Sequence, residues 1–178
     1  MPDWVAPTEE GLRWLGLSYP PIEFPFGDLP HIYLINEIRL FLMRSSKIPP
    51  FAWTSERELE IQEPRKTRGL ELPHRPDGIM TIETDGELTV NDQVLHLRAG
   101  EHLAVEAERS RKEFEDLERI LPDLLHHYDR AWYFAGPGAY DAVSKERAKL
   151  PPEEQQRIQV FRLSANWWEW KQRAEKAR

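Results

Sequence analysis

The stretch from His74 to Lys112 constrains the fold more than any other part of the chain. Within it, β-rich runs alternate with turn-forming pairs. Ile79-Met80-Thr81-Ile82-Glu83-Thr84 runs into Asp85-Gly86, a strong hairpin signal because both residues tolerate the positive φ of a tight turn. Leu88-Thr89-Val90 meets a second turn at Asn91-Asp92, and Val94, His96 and Leu97 lead to a third at Ala99-Gly100. Leu103 to Glu108 is the next strand. The pattern predicts an antiparallel meander of three or four strands. Strand side chains alternate, so Glu106 and Glu108 share one face while Leu103, Val105 and Ala107 take the other.

Helices flank this cluster. Ile32, Leu34, Ile35, Ile38, Phe41 and Leu42 follow a three-to-four spacing, which predicts a helix over 31–44. A short helix over 54–60 is capped by Thr54 or Ser55, and the polar, basic residues 62–73 read as a loop. Ser110 and Glu113 form a capping box. The helix they start carries Phe114, Leu117, Leu121, Leu124 and Tyr128 on one face, with Pro122 expected to kink or split it. Ala131-Trp132-Tyr133-Phe134 is a short buried strand, and Gly136-Pro137-Gly138 a turn. A charged helix follows over about 139–149, broken by Pro151-Pro152, and Ile158 to Leu163 is the last strand. A Trp-rich helix from Asn166 ends the chain with cations at its favourable end. Crossover helices after a meander imply an α/β or α+β fold, a mixed sheet with helices on its faces.

The N-terminal residues 1–30 form an arm, and residues 31–178 form one domain. Within the arm Thr8 is an N-cap, Leu12, Trp14 and Leu15 an apolar side, and Gly16 a stop. Tyr19-Pro20-Pro21 and Phe24-Pro25-Phe26 then force extended backbone. The chain has no cysteine, which excludes disulfides and thiolate metal sites. No apolar run approaches the roughly 18 residues of a membrane span, and the start lacks the pattern of a secretion signal, so a cytoplasmic location is expected. A net charge of −7 weighs against strong nucleic-acid affinity by the chain as a whole, while its carboxylates are the ligands Mg²⁺ needs.

Candidate chemistry centres on acids at strand ends. Asp77 begins a strand that could lie beside the one bearing Glu106 and Glu108. Carboxylates crowded there repel one another unless a cation intervenes, so Mg²⁺ or Mn²⁺ bound by Asp77 and Glu106 would offset the repulsion. Lys112 would stabilise developing charge, and Glu37 on the first domain helix is a further candidate ligand. Arg65, Lys66, Arg68 and Arg75 have the character of a phosphate-tracking patch, or of a solvated basic loop. Asp77 in Pro-Asp-Gly equally suits a turn, and Glu106 and Glu108 a solvated strand face. His31, His74, His96 and His102 show no zinc spacing, and Gly136-Pro137-Gly138 lacks the Lys-Ser/Thr of a phosphate loop.

Two segments carry a family likeness. His74-Arg75-Pro76-Asp77-Gly78 and Val105-Glu106-Ala107-Glu108-Arg109-Ser110-Arg111-Lys112 resemble the core of the replication-relaxation proteins, which are associated with plasmids and mobile elements. That core is similar to the restriction-endonuclease-like PD-(D/E)xK fold. Trp4-Val5-Ala6, Thr8, Gly11-Leu12 and Leu15-Gly16-Leu17 resemble the end of the winged-helix domain that precedes it. Leu29-Pro30-His31, Asn36-Glu37 and Trp53 to Leu59 resemble the linking segment. The likeness spans most of 4–134. It implies Asp77 and Glu106 as metal ligands and metal-dependent DNA cleavage or nicking as the activity. It departs from the signature at Glu108, where a lysine is expected, which leaves Lys112 as a substitute from the following helix. The alternative is a non-catalytic DNA- or protein-binding regulator that keeps the fold. A third reading is a structural subunit whose aromatic arm and tail bind a protein partner or a second copy.

Overall fold

The computed structural model describes residues 9–14, 16, 29–45, 47–62, 73–90, 93–108 and 114–163. In chain order the elements are α1 (Glu9–Trp14), α2 (Leu29–Arg44), β1 (Phe51–Ser55), α3 (Glu56–Gln62), β2 (Gly78–Ile82), β3 (Gly86–Val90), β4 (Gln93–Leu97), β5 (His102–Glu108), α4 (Phe114–His127), β6 (Arg130–Ala135), α5 (Pro137–Arg147), α6 (Pro152–Arg157) and β7 (Ile158–Arg162). Five strands form a mixed sheet in the order β1-β2-β5-β6-β7. The β1–β2 and β2–β5 pairs are antiparallel, and β5–β6 and β6–β7 are parallel. Each parallel step is made through helix, α4 for the first and α5 followed by α6 for the second, as a parallel connection requires.

The two sheet faces bury different helices. Leu34, Ile38 and Leu42 recur every four residues along α2 and pack against Met80, Ile82, Leu103, Val105, Ala107, Trp132 and Phe134. The opposite face, with Ala104, Ala131, Tyr133, Ala135, Ile158 and Val160, is covered by Leu117, Ile120, Leu121, Leu124 and Leu125 of α4 and Ala139, Ala142 and Val143 of α5. The molecule is therefore a three-layer α/β/α arrangement among the described residues. The alternation expected along β5 holds: Leu103, Val105 and Ala107 face α2, and Ala104 faces α4. Gly78 is required where it stands, because a Cβ there would lie 2.2 Å from the Trp53 ring on the neighbouring strand.

Several expectations need correction. The meander is made of β1, β2 and β5, while β3 and β4 form a separate two-stranded sheet. Asp85-Gly86 opens that side hairpin rather than joining two neighbours of the main sheet. The Asp85 side chain accepts the Ala99 N–H at 2.8 Å, closing the excursion at its base. The chain then re-enters the sheet at Gly100, whose φ of 87° is open to glycine. Its N–H donates to the Ile82 carbonyl at 2.8 Å, and Ile82 N–H to the Glu101 carbonyl at 3.0 Å. Pro122 does not split α4; it is exposed within one continuous helix. Gly136-Pro137-Gly138 is the start of α5, with Pro137 at the first turn where a missing N–H costs nothing. Phe41, assigned to the buried face of α2, is 56% exposed. No helix of the described residues is long and apolar enough to cross a membrane. The Thr8 cap, the Asn91-Asp92 turn, the 110–113 capping box, residues 63–72 of the loop expected over 62–73 and the Trp-rich tail lie outside the described residues, while Gln62 is the last residue of α3.

Candidate functional site

Asp77 immediately precedes β2, and the pairing of Gly78 with Val105 places Asp77 opposite Glu106 one step further along the same ladder. Opposed residues on antiparallel strands share a face, so the two acids meet at the end of β5. Asp77 is fixed from three sides. Its Oδ2 accepts the Ala107 N–H at 2.8 Å, its Oδ1 lies 2.8 Å from His31 Nε2, and its carbonyl accepts the Glu56 N–H at 3.2 Å. One aspartate thus ties together β2, β5, α2 and the first residue of α3.

Glu106 is only 4% exposed and Glu108 7%. His74 Nε2 donates to Glu106 Oε1 at 2.9 Å, and the His74 backbone N–H donates to the Asp123 carboxylate of α4. A buried carboxylate needs such partners, since leaving one unpaired in the interior costs several kcal/mol, on the order of the whole margin of a domain. Beside Glu106 in the parallel register, on the same face, stands Tyr133. Its side chain is fully buried, and its hydroxyl has no hydrogen-bond partner among the described residues. Burial pushes its ionisation well above the ordinary 10.0, and Glu106, Glu108 and Asp77 push it further by opposing a phenolate. Glu56 is raised as well, first by burial and then by the Asp77 charge, against the opposing pull of His31 and Arg75.

The structure thus brings together Asp77, Glu106 and Glu108 of the predicted residues, with Arg75 half-buried near Glu56. Glu37 is hydrogen-bonded to Tyr33, one turn earlier in α2, and no described contact carries it to the acids. Lys112, Arg65, Lys66 and Arg68 lie outside the described residues. Sequence reasoning missed His31, His74, Glu56 and Tyr133. His31 and His74 lie 46 and 32 residues from the acids they touch, so no local spacing reveals them. Tyr133 reads as core from its apolar neighbours, and only the strand register places it by Glu106.

Carboxylates are the donors a hard divalent cation such as Mg²⁺ or Mn²⁺ takes, whereas imidazole suits softer metals. The imidazoles engage the acids one to one, and among the described residues no group of three or more His, Asp or Glu is arranged to hold a metal ion. No family model, curated protein or solved structure matches this chain.

Proposed function

We propose that this chain is a nuclease-like protein of the replication-relaxation type, acting on DNA through Mg²⁺ or Mn²⁺ held by Asp77 and Glu106. The observation that carries the reading is the meeting of Asp77 with Glu106 and Glu108 at one end of the sheet. The order of elements supports a restriction-endonuclease-like core: a helix, three antiparallel strands, a helix, then a parallel strand. The acids fall at the start of the second of those strands and the end of the third, as the PD-(D/E)xK resemblance implies.

A divalent ion bound there supplies charge neutralisation for a phosphoryl oxygen and a lowered water pKa. The chain's own groups provide the rest. Asp77 and Glu106 would be the carboxylates that hold it. His31, one-third exposed, would orient the Asp77 carboxylate through the 2.8 Å contact of its Nε2 with Asp77 Oδ1. Glu108 adds negative charge where the resemblance expects a lysine, and Lys112 is the cation proposed to act in its stead.

The same Glu108 favours a second reading, a non-catalytic DNA- or protein-binding regulator that retains the fold. Calorimetric Mn²⁺ titration of the wild type, Asp77→Asn and Glu106→Gln separates them. The nuclease reading expects binding by the wild type, weakened at least tenfold in each variant, and nicking of supercoiled plasmid that EDTA abolishes. No binding up to millimolar Mn²⁺ rejects it. Binding without cleavage of plasmid, nicked or branched DNA favours the regulator.

A further inference from the structure

Gln159 stands where the strand pattern favours an apolar residue. Its neighbours on β7, Ile158 and Val160, pack beneath α4 and α5, so alternation turns Gln159 to the opposite face, beside Trp132 of β6. That face carries Trp132, Phe134 and Phe161, yet Gln159 is buried among them at 6% exposure. A buried amide destabilises a fold unless its polar atoms find partners. Here Nε2 donates to the Gln156 carbonyl at 3.2 Å. The second amide hydrogen and Oε1 are left for a cavity of about 600 Å³ that Gln159 helps to line.

The cavity lies between β4 and the starts of β6 and β7, whereas Glu106 and Glu108 lie near the other end of the sheet, where β5 finishes. Its size is within the roughly 300–1,000 Å³ of small-molecule sites. Arg130 is fixed in its wall, donating from Nε to Glu101 Oε2 at 3.3 Å and from Nη2 to the His96 carbonyl at 2.9 Å. Those two bonds hold the guanidinium in one orientation and leave its remaining N–H groups for a ligand. Arg98, exposed, lines the same cavity. Two arginines against one glutamate make this wall positive in a chain whose net charge is −7. Fixed guanidinium forks suit phosphate oxygens. The Gln159 amide presents a donor and an acceptor side by side, the complement of a nucleobase edge. Val94 and Leu95 add apolar surface for a ring.

We propose that this cavity binds a nucleoside monophosphate, with Arg98 and Arg130 on the phosphate, the Gln159 amide on the edge of the base, and Val94 and Leu95 against its ring. The site shares no residue with the acidic one, so it stands whether or not Asp77 and Glu106 hold a metal.

Calorimetry in EDTA tests it, since no metal can then bridge a phosphate to the acids. The probes are the monophosphates of adenosine, guanosine, cytidine and uridine, the four free nucleosides, and inorganic phosphate. At least one monophosphate is expected to saturate the wild type, with its nucleoside and inorganic phosphate each about tenfold or more weaker, because each lacks one half of the contacts. Arg98→Gln changes an exposed side chain and is expected to weaken the monophosphate about tenfold, as loss of a charge-assisted hydrogen bond does. Gln159→Met, close in shape and without the amide, is expected to weaken it as well. No saturation by any monophosphate at millimolar concentration overturns the proposal. So does an affinity that Arg98→Gln leaves unchanged, or inorganic phosphate binding as tightly as the nucleotide.

Discussion

The acids of the site are more constrained by the fold than by one another, and Asp77 shows how. Its carboxylate serves the β5 backbone at Ala107 and His31 at the start of α2. Asp77→Ala removes the acceptor and leaves a part-buried N–H unpaired, a loss of about 1–3 kcal/mol. Asp77→Asn keeps a carbonyl oxygen for Ala107 while removing the charge, so it is expected to lose less stability than the alanine variant. Urea denaturation of the two checks the order. Glu56 supplies the pH-dependent counterpart. Its folded pKa is raised above the ordinary 4.5 by burial and then by Asp77. The folded state therefore holds that proton more tightly, and the stability it contributes is complete below 4.5 and lost as pH rises through the raised value. Glu56→Gln is expected to flatten that part of the stability profile. Denaturation midpoints of both proteins between pH 4 and 7 test this, and parallel profiles contradict it. At this scale the sequence was informative where chemistry is local. Strand alternation correctly put Glu106 and Glu108 together on β5, but it could not pair Glu106 with His74, because that contact depends on a loop crossing to the strand.

Elements with strong periodicity were readable, and those defined only by their neighbours were not. Helix α2 and strands β5, β6 and β7 follow from their apolar spacing and from nearby turn residues. Strand β1 was missed because it is an edge strand whose five residues are one exposed and four half-buried, with no clear alternation. Helix α6 was missed because Pro-Glu-Glu-Gln-Gln-Arg has no apolar stripe, and none of its residues is buried. Helix α3 was readable from its cap alone. Ser55 Oγ accepts the Glu58 N–H at 3.3 Å, while Glu58 Oε2 accepts the Ser55 N–H at 2.9 Å and its hydroxyl at 3.1 Å. This reciprocal cap matters beyond α3, because the helix's first residue, Glu56, donates its N–H to the Asp77 carbonyl. Ser55→Ala is expected to cost about 1 kcal/mol and to raise amide exchange at Glu56 and Glu58 together. Faster exchange at Glu58 alone would show that the cap does not reach the site.

At the scale of the whole molecule, the question is what the β3–β4 hairpin contributes to a sheet it does not join. Ala99-Gly100 is a turn, but Asp85-Gly86 is not the hairpin turn its residues suggest, since Gly86 already belongs to β3, and which strands such segments connect depends on non-local pairing that local patterns do not encode. Asp85 holds Ala99 at 2.8 Å, so the excursion leaves and returns at nearly the same point. On topology alone it could be cut off. Packing argues otherwise, since Leu88, Leu95 and Leu97 are 7%, 7% and 1% exposed within the cluster that α2 covers. Each buried leucine is worth about 1.5–3 kcal/mol against exposure, and a domain's whole stability is about 5–15 kcal/mol. Replacing residues 86–97 with a two-residue turn should preserve the β2–β5 pairing yet cost on the order of 5 kcal/mol. Guanidinium denaturation, with hydrogen exchange on β2 and β5, measures both terms. A variant within about 1 kcal/mol of the wild type would make the hairpin an ornament on a self-sufficient five-stranded sheet. A large loss with the β2–β5 amides still protected would make it a lid of the α2-side core, closing the layer that fixes the Asp77–His31 contact at the sheet's edge.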